Sequence, residues 1–348
     1  MDISQILKFA IEHRASDVLI TTGSPPTLRI NGELVLTNAP PLTPETTKSL
    51  IYSVLENRQI AQFEEKKELD FSIYVEGSYR FRGNAYVQRG CVCGAFRLIP
   101  NEIPSLSELG LPPFMEELCM RHQGLILITG PTGQGKSTTQ AAMVDYINAQ
   151  RRLHIVTVED PIEFMHENKH SVIDQREVGS DTHGFAQALE HVLRQDPDVI
   201  LIGEMRDLDT IGAALTAAET GHLVIATLHT NDAVQSIDRL IDVFPPHQQG
   251  QVRTQLAFSL AAVIAQRLLP RADGKGRVAA TEVMLNNSAV AHLIRDGKTH
   301  SIYSVMETHA KEGMHVMDTS IKQLYLKGVI TYEEAKLRVK NPQTLDKA

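Results

Sequence analysis

The sequence predicts an α/β protein in two parts. A small α+β module comes first, followed by a parallel sheet with helices on both faces and a helical C-terminal extension. Three observations carry this reading. The first hundred residues read as helix, short strands and tight turns. From Gly124 onward, apolar strands alternate with amphipathic helices. One of these strands, 125–129, runs straight into the glycine-rich segment GPTGQGKST at 130–138 and then into a helical pattern. The expected boundaries are 1–100 for the module, 101–118 for a linker, 119–270 for the core and 271–348 for a C-terminal strand and helical region.

In the module, Ile3, Ile6, Leu7, Ala10 and Ile11 follow helical spacing. Residues 17–22 and 27–36 read as strands, the second folded on itself at Asn31-Gly32, a hairpin turn signal. Thr43 and Pro44 supply an N-cap and first turn for one helix reaching towards Glu65. A meander follows: 69–75, a turn at Glu76-Gly77, 79–88, a turn at Arg89-Gly90, and 92–98. Alternation along its middle strand puts Arg80 and Arg82 on one face, with Tyr79 and Phe81 on the other. Pro100 to Pro113 interrupts every rhythm and marks the linker.

In the core, 125–129, 153–159, 199–202 and 223–228 are the apolar strands. Phe185, Ala188, Leu189, Val192 and Leu193 mark one helix, and 209–219 a second that stops at Gly221. Val252, Gln255, Leu256, Leu260, Val263 and Ile264 indicate a third before Pro270. A strand near 279–285 follows, then helices, the last opened by a capping box at Thr331 and Glu334.

The segment at 130–138 fits G-x-x-x-x-G-K-[ST] at Gly130, Gly135, Lys136 and Ser137. Polyphosphate needs inward-pointing backbone N–H groups, and side chains would block that approach. Gly130, Gly133 and Gly135 remove the Cβ atoms in the way, while Thr132, Gln134 and Thr138 complete the cradle. Lys136 supplies a point charge for phosphate oxygens, and Ser137 a hydroxyl for Mg²⁺. The chemistry implied is ATP binding with Mg²⁺. Further candidates sit at strand ends, where ligands of such sheets bind. Glu159, Asp160 and Glu163 surround the turn after 153–158; a solvated acidic turn is the alternative reading. The strand 199–202 leads into Gly203-Glu204, with glycine where an aspartate holding Mg²⁺ through water is usual. Glu204 therefore takes the metal side, leaving Glu159 or Glu163 to polarise water. His222 and His229 bracket the strand 223–228, and His229 is the better candidate for touching a γ-phosphate.

At 348 residues and a formal net charge of −8, the chain is long enough for about two domains and is not expected to attract nucleic acid or anionic lipid generally. No apolar run approaches the ~20 residues needed to span a bilayer, and residues 1–10 lack a signal-peptide pattern. A cytoplasmic protein, able to dock peripherally on an inner-membrane assembly, is expected. Cys91, Cys93 and Cys119 make no disulfide scaffold and read as reduced, packed thiols.

GPTGQGKST (130–138), TVEDPIEF (157–164), DPDVILIGEMRD (196–207) and GHLVIATLHTNDA (221–233) occur in the order and spacing of the Walker A, Asp, Walker B and His boxes. Together they resemble the secretion-ATPase superfamily, and within it the type IV pilus retraction ATPases of twitching motility. The start ASDVLITTGSPPTLRINGEL and the flank QREVGSDT at 175–182 extend the resemblance over nearly the whole chain. It implies a PAS-like N-terminal domain, a RecA-like second domain, a hexameric ring of identical subunits, and a nucleotide site shared by the two domains. It further implies that Glu163 is the catalytic glutamate, Glu204 the Walker B acid and His229 a phosphate contact. Arginines of the first domain, among Arg80, Arg82 and Arg97, would neutralise developing charge. The implied partners are an inner-membrane platform protein, pilin indirectly, and a paralogous retraction ATPase.

Assembly motors of the superfamily usually carry an extra N-terminal domain and paired CxxC motifs, and this chain has only three cysteines. The retraction segment close to AIRNLIRE reads AVAHLIRD at 289–296, matching at Ala289, Leu293, Ile294 and Arg295. An accessory retraction paralogue is the alternative within the family. A RecA-like nucleic-acid translocase is the alternative outside it, with DNA-stimulated ATPase and basic pore loops as its signature. A non-hydrolysing regulator would bind ATP tightly without turnover.

Overall fold

A computed structural model describes residues 2–30, 32–75, 79–100 and 102–346. The expected turn residues Asn31, Glu76 and Gly77, and Asn101 of the expected linker, lie outside the described residues. The chain divides into two compact units. One contains Met1–Glu102 with Glu163–Met165; the other contains Ile103–Ile162 and His166–Ala348.

The first unit runs α1 (Ile3–Glu12), β1 (Asp17–Ile20), β2 (Thr27–Ile30), β3 (Glu33–Leu36), α2 (Pro44–Tyr52), α3 (Asn57–Lys66), β4 (Glu68–Val75), β5 (Tyr79–Gln88) and β6 (Cys91–Ile99). Its sheet has the order β3-β2-β1-β6-β5-β4 and every pairing is antiparallel. Asp2 caps α1 through Ser4 N, and Gln5 returns the bond to the Asp2 amide. The α1 residues Ile3, Ile6, Leu7 and Ala10 then pack with Phe63, Phe71, Phe81 and Phe96 into the core of this unit. The single helix expected from Thr43 to Glu65 is two helices, α2 and α3, the second opened by a capping box between Glu56 and Gln59. The break lets Leu50, Ile51, Leu55 and Phe63 all reach the one core.

On the opposite face, cross-strand partners line up as Arg29, Asp17, Arg97, Arg82 and Ser72. Like charges directly opposite repel. Asp17 offsets this, pairing with Arg97 at 2.8 Å and more loosely with Arg29 at 3.7 Å.

The second unit runs α4 (Phe114–Cys119), β7 (Gly124–Thr129), α5 (Lys136–Gln150), β8 (His154–Glu159), β9 (Val172–Glu177), α6 (Phe185–Val192), β10 (Val199–Ile202), α7 (Leu208–Glu219), β11 (Leu223–Leu228), α8 (Ala233–Asp242), α9 (Pro246–Ser259), β12 (Leu260–Pro270), β13 (Arg277–Leu285), α10 (Ser288–Arg295), α11 (Ile302–Thr308), α12 (Met317–Leu326), α13 (Tyr332–Arg338) and α14 (Gln343–Asp346). Its sheet has the order β13-β12-β7-β11-β10-β8-β9, parallel apart from the β12–β13 pair. The central strands β7, β10 and β11 are buried at every position, as a sheet covered on both faces requires.

Two readings of the sequence are revised here. The apolar residues at 260–264 belong to strand β12, not to the preceding helix, which ends at Ser259. The strand β9, VIDQRE, was not expected, because it is a polar edge strand. Within the expected linker 101–118, Leu106, Leu111, Met115 and Leu118 are buried in the core beneath α5. Residues 271–348 likewise group with the core, since β13 pairs with β12 along its length.

One side chain joins the C-terminal helices to the sheet. Glu282 on β13 is 1% exposed. Its carboxylate accepts Ala233 N at 2.9 Å and Met317 N at 3.2 Å, the first amides of α8 and α12. Two helix N-termini thus converge on one buried acid. Burial pushes its pKa up despite those two bonds. Lys340 adds a second tie, its ammonium 3.6 Å from Asp232 at the N-cap of α8. Truncation by Glu282→Ala leaves two buried amides without an acceptor and is expected to cost about 3 kcal/mol. Equilibrium urea unfolding of the full chain measures it; a loss under about 1 kcal/mol would contradict this keystone role.

Candidate functional site

The glycine-rich loop leaves β7 at Gly130, where an added Cβ would lie 2.5 Å from the Gln266 carbonyl oxygen on β12. Gly133 and Gly135 adopt φ of +78° and +81°, values that let successive amides turn to one side. Helix α5 then starts at Lys136 with no side-chain cap, the arrangement an anion site at a helix N-terminus requires. Lys136 is buried, and its ammonium donates to the carbonyls of Gly130 (2.7 Å) and Pro131 (3.1 Å) within the loop. Ser137 and Thr138 follow in the first turn and are partly accessible.

The loop is held from β12 and β13 by residues that sequence reasoning did not find. Gln266 donates to Gln134 O at 2.8 Å and accepts from the Thr139 hydroxyl at 2.8 Å. The side-chain oxygen of Gln134 accepts Leu268 N at 2.7 Å, which makes this side chain a support of the loop. Arg277 donates to Gly133 O at 3.2 Å. No local signal could reveal these contacts, because the partners lie more than a hundred residues apart in the chain.

Beside the loop, β10 ends at Ile202 and passes into Gly203-Glu204. Gln140 of α5 donates to Ile202 O at 3.2 Å, and the Thr227 hydroxyl donates to Gly203 O. A Cβ at Gly203 would lie 3.2 Å from Glu159 Cα and 3.3 Å from Val158 O. The two strand ends therefore leave little space for a side chain at 203, and the acid stands at 204. Glu204 is clasped by Arg206, with nitrogens 2.7 Å from each carboxylate oxygen, and by His229 Nε2 at 3.1 Å. Partial burial raises its pKa, but Arg206 and His229 outweigh this and hold it below the usual carboxylate range. The other His229 nitrogen lies 3.4 Å from the Thr132 hydroxyl. A chain of side chains thus joins the loop to the end of β10: Thr132, His229, Glu204, Arg206.

At the end of β8, Glu159 accepts from Thr157 Oγ1 (2.7 Å) and Gln175 Nε2 (3.2 Å). Glu163 lies on the three-residue segment that groups with the first unit, and it is exposed. His222 stands at the start of β11, the end opposite His229, where its Nδ1 lies 3.0 Å from Ala217 O. A six-residue strand separates the two histidines by roughly 20 Å, so this chain does not bring His222 to the loop.

The three candidate arginines differ within the first unit. Arg80 is buried, donates to Ser72 Oγ at 2.9 Å and lies over the Tyr74 ring, with Met165 Sδ 3.9 Å from its other end. Arg97 pairs with Asp17. Arg82 is exposed and forms no ion pair among the described residues.

Comparison with known proteins fits this geometry. Residues 1–337 match the family of type II/IV secretion system proteins. The chain is 46% identical to the type IV pilus retraction ATPase PilT of Pseudomonas aeruginosa, covering 99% of both chains. It is 43% identical to the type IV pilus ATPase PilU of the same organism, over 96% of this chain and 88% of that one. A crystal structure of the pilus retraction motor PilT with bound ADP superposes with a TM-score of 0.93 at 49% identity, covering 100% of both chains. The chain belongs to the type II/IV secretion system protein family, among its PilT-like ATPases, with the PilT fold of an N-terminal domain and a RecA-like ATPase domain.

Two outcomes follow from the packing at β10. Gly203→Ala pushes its Cβ against the Glu159 backbone and is expected to lower ATP turnover between about 10- and 100-fold, read by phosphate release. Arg206→Ala removes the positive charge holding Glu204 ionised. The Glu204 pKa then rises, so the acid limb of the kcat/KM profile shifts to higher pH; an unmoved limb would show that the clasp does not set this ionisation.

Proposed function

We propose that this PilT-like ATPase powers retraction of a type IV pilus, working as a homo-hexameric ring docked on an inner-membrane platform protein. The full-length match to PilT supports this reading, joined to a phosphate loop linked through Thr132 and His229 to the acid Glu204. Among the described residues no helix is long and apolar enough to cross a membrane, so docking would be peripheral. The match to PilU, only slightly lower, favours one second reading: an accessory ATPase working beside a principal motor.

The reaction proposed is in-line attack of water on the γ-phosphorus of ATP. A new P–O bond forms, the bond to the β–γ bridging oxygen breaks, and ADP and phosphate leave. Amides at Gly130, Gly133 and Gly135 and the Lys136 ammonium bind the phosphates and offset charge gathering on their oxygens. Glu163 orients the water and accepts its proton, with Glu159 in support. His229, tied to both Thr132 and Glu204, would respond to the presence of the γ-phosphate. Of the three candidate arginines, Arg82 is the one with no ion pair or side-chain hydrogen bond among the described residues.

Mg²⁺ suits the donor set: the Ser137 hydroxyl and the ionised Glu204 are hard oxygen ligands. Among the described residues no group of three or more His, Cys, Asp or Glu forms a protein cage. Magnesium held largely by nucleotide and water does not require one. When bound it would draw charge from the β- and γ-phosphate oxygens.

Deletion of the gene, with counting of surface pili and of surface motility, tests the proposal. Excess pili that fail to retract are expected, restored to normal by the wild-type gene and not by Glu204→Ala, whose turnover should fall about 10²- to 10³-fold. Bald cells would overturn retraction in favour of assembly. Normal pili and motility would favour the accessory reading.

A further inference from the structure

Strand β9 holds two side chains that the proposed chemistry does not yet use. In the parallel register with β8, Gln175 stands opposite Thr157 and Glu177 opposite Glu159, so all four share one face of the sheet. Glu177 is buried, and its Oε2 accepts Ile162 N at 2.9 Å. Gln175 Oε1 accepts His166 N at 2.9 Å, while its Nε2 donates to Glu159 at 3.2 Å. Ile162 and His166 are the residues on either side of Glu163–Met165, the segment that groups with the first unit. One strand therefore grips both points at which the chain leaves and rejoins the second unit.

The grip is itself braced. Glu177 N donates to Asp181 Oδ2 at 2.8 Å and Asp181 N to Glu177 O at 2.8 Å. Gly179 turns at φ +88° and closes the loop on Thr182 O at 2.7 Å. The segment 175–182, QREVGSDT, reads in these terms: two clamping side chains and the turn that fixes them. A buried carboxylate is costly unless it accepts hydrogen bonds, and the bond to a backbone N–H is charge-assisted. Such a group in an edge strand serves poorly as mere filling.

We propose that Gln175 and Glu177 are positioning residues for hydrolysis. They fix the ends of the segment bearing Glu163, and Gln175 aligns Glu159 through the same amide. The proposal rests on the assignment of Glu163 as the water-orienting group. Fixed ends limit how far Glu163 strays from its productive place. A misplacement of about 1 Å can cost on the order of 10²-fold in rate. The bonds described for the clamp run to Ile162, His166 and Glu159, so nucleotide binding should be nearly indifferent to it.

The test uses the purified full-length chain. In Gln175→Ala and Glu177→Ala, kcat is expected to fall about 10- to 100-fold, with KM for ATP and thermal protection by ADP within about twofold of wild type. Glu177→Gln keeps an oxygen for Ile162 N and should recover kcat to within about threefold of wild type. Wild-type kcat in both alanine variants would overturn the proposal. So would a loss of kcat matched by equal loss of ADP protection, the mark of general unfolding. Glu163→Gln is run beside them. If it is inactive while the alanine variants are fully active, the clamp is refuted and the site assignment stands. If Glu163→Gln turns over ATP at the wild-type rate, the assignment fails and the clamp fails with it.

Discussion

The ends of β8 and β10 approach so closely that position 203 has little space for a Cβ, and much of the site is arranged around that closeness. A Cβ there would meet the Glu159 backbone at 3.2 Å. Glycine permits the approach, and the acid moves one residue on, where β10 has ended and the chain has turned. At 204 it can reach Arg206 and His229 together. Both keep it ionised, and His229 extends the connection to Thr132 in the phosphate loop. The same closeness places Glu159, supported by Thr157 and Gln175, next to this acid-bearing turn. Backbone packing thus sets where the two glutamates stand at the ends of β8 and β10.

What could be read from the sequence was whatever is encoded locally. The phosphate loop is contiguous, and its glycines are required by backbone angles and close approach within a few residues, so 130–138 announced itself. The buried strands β7, β10 and β11 did likewise, being apolar throughout. Where the structure differs, sequence periodicity is ambiguous or silent. Residues 260–264 are apolar at every position, so helical spacing is satisfied by accident; only pairing with β7 and β13 makes them strand. Strand β9 shows no apolar pattern, because it is an edge whose side chains make hydrogen bonds. The supports Gln266, Arg277 and Glu282 were invisible for a different reason. Each acts on backbone groups remote in the chain, and a polar residue in a strand carries no mark of its distant partner.

The histidines show how a strand's direction sharpens a motif. In sequence, His222 and His229 flank one strand symmetrically. In a parallel sheet the two ends are not equivalent, because loops at the C-terminal ends of the strands gather the ligand-binding groups. His229 stands at that end and touches both loop and acid, whereas His222 closes the turn after α7.

A similar sorting applies to the arginine face of the first unit. Alternation alone made Arg80 and Arg82 equivalent, both on the face away from the core. The structure separates them by what each does for the fold. Arg80 is buried and cross-links Ser72, the Tyr74 ring and the neighbourhood of Met165, so its removal would be felt as lost packing. Arg97 is balanced by Asp17, which also answers to Arg29. Arg82 stands directly across from Arg97, a like-charge pairing that costs stability, and it has no carboxylate of its own among the described residues. Position in the fold therefore distinguishes the three arginines that strand alternation leaves alike: Arg80 is tied by packing, Arg97 by an ion pair, and Arg82 by neither among the described residues.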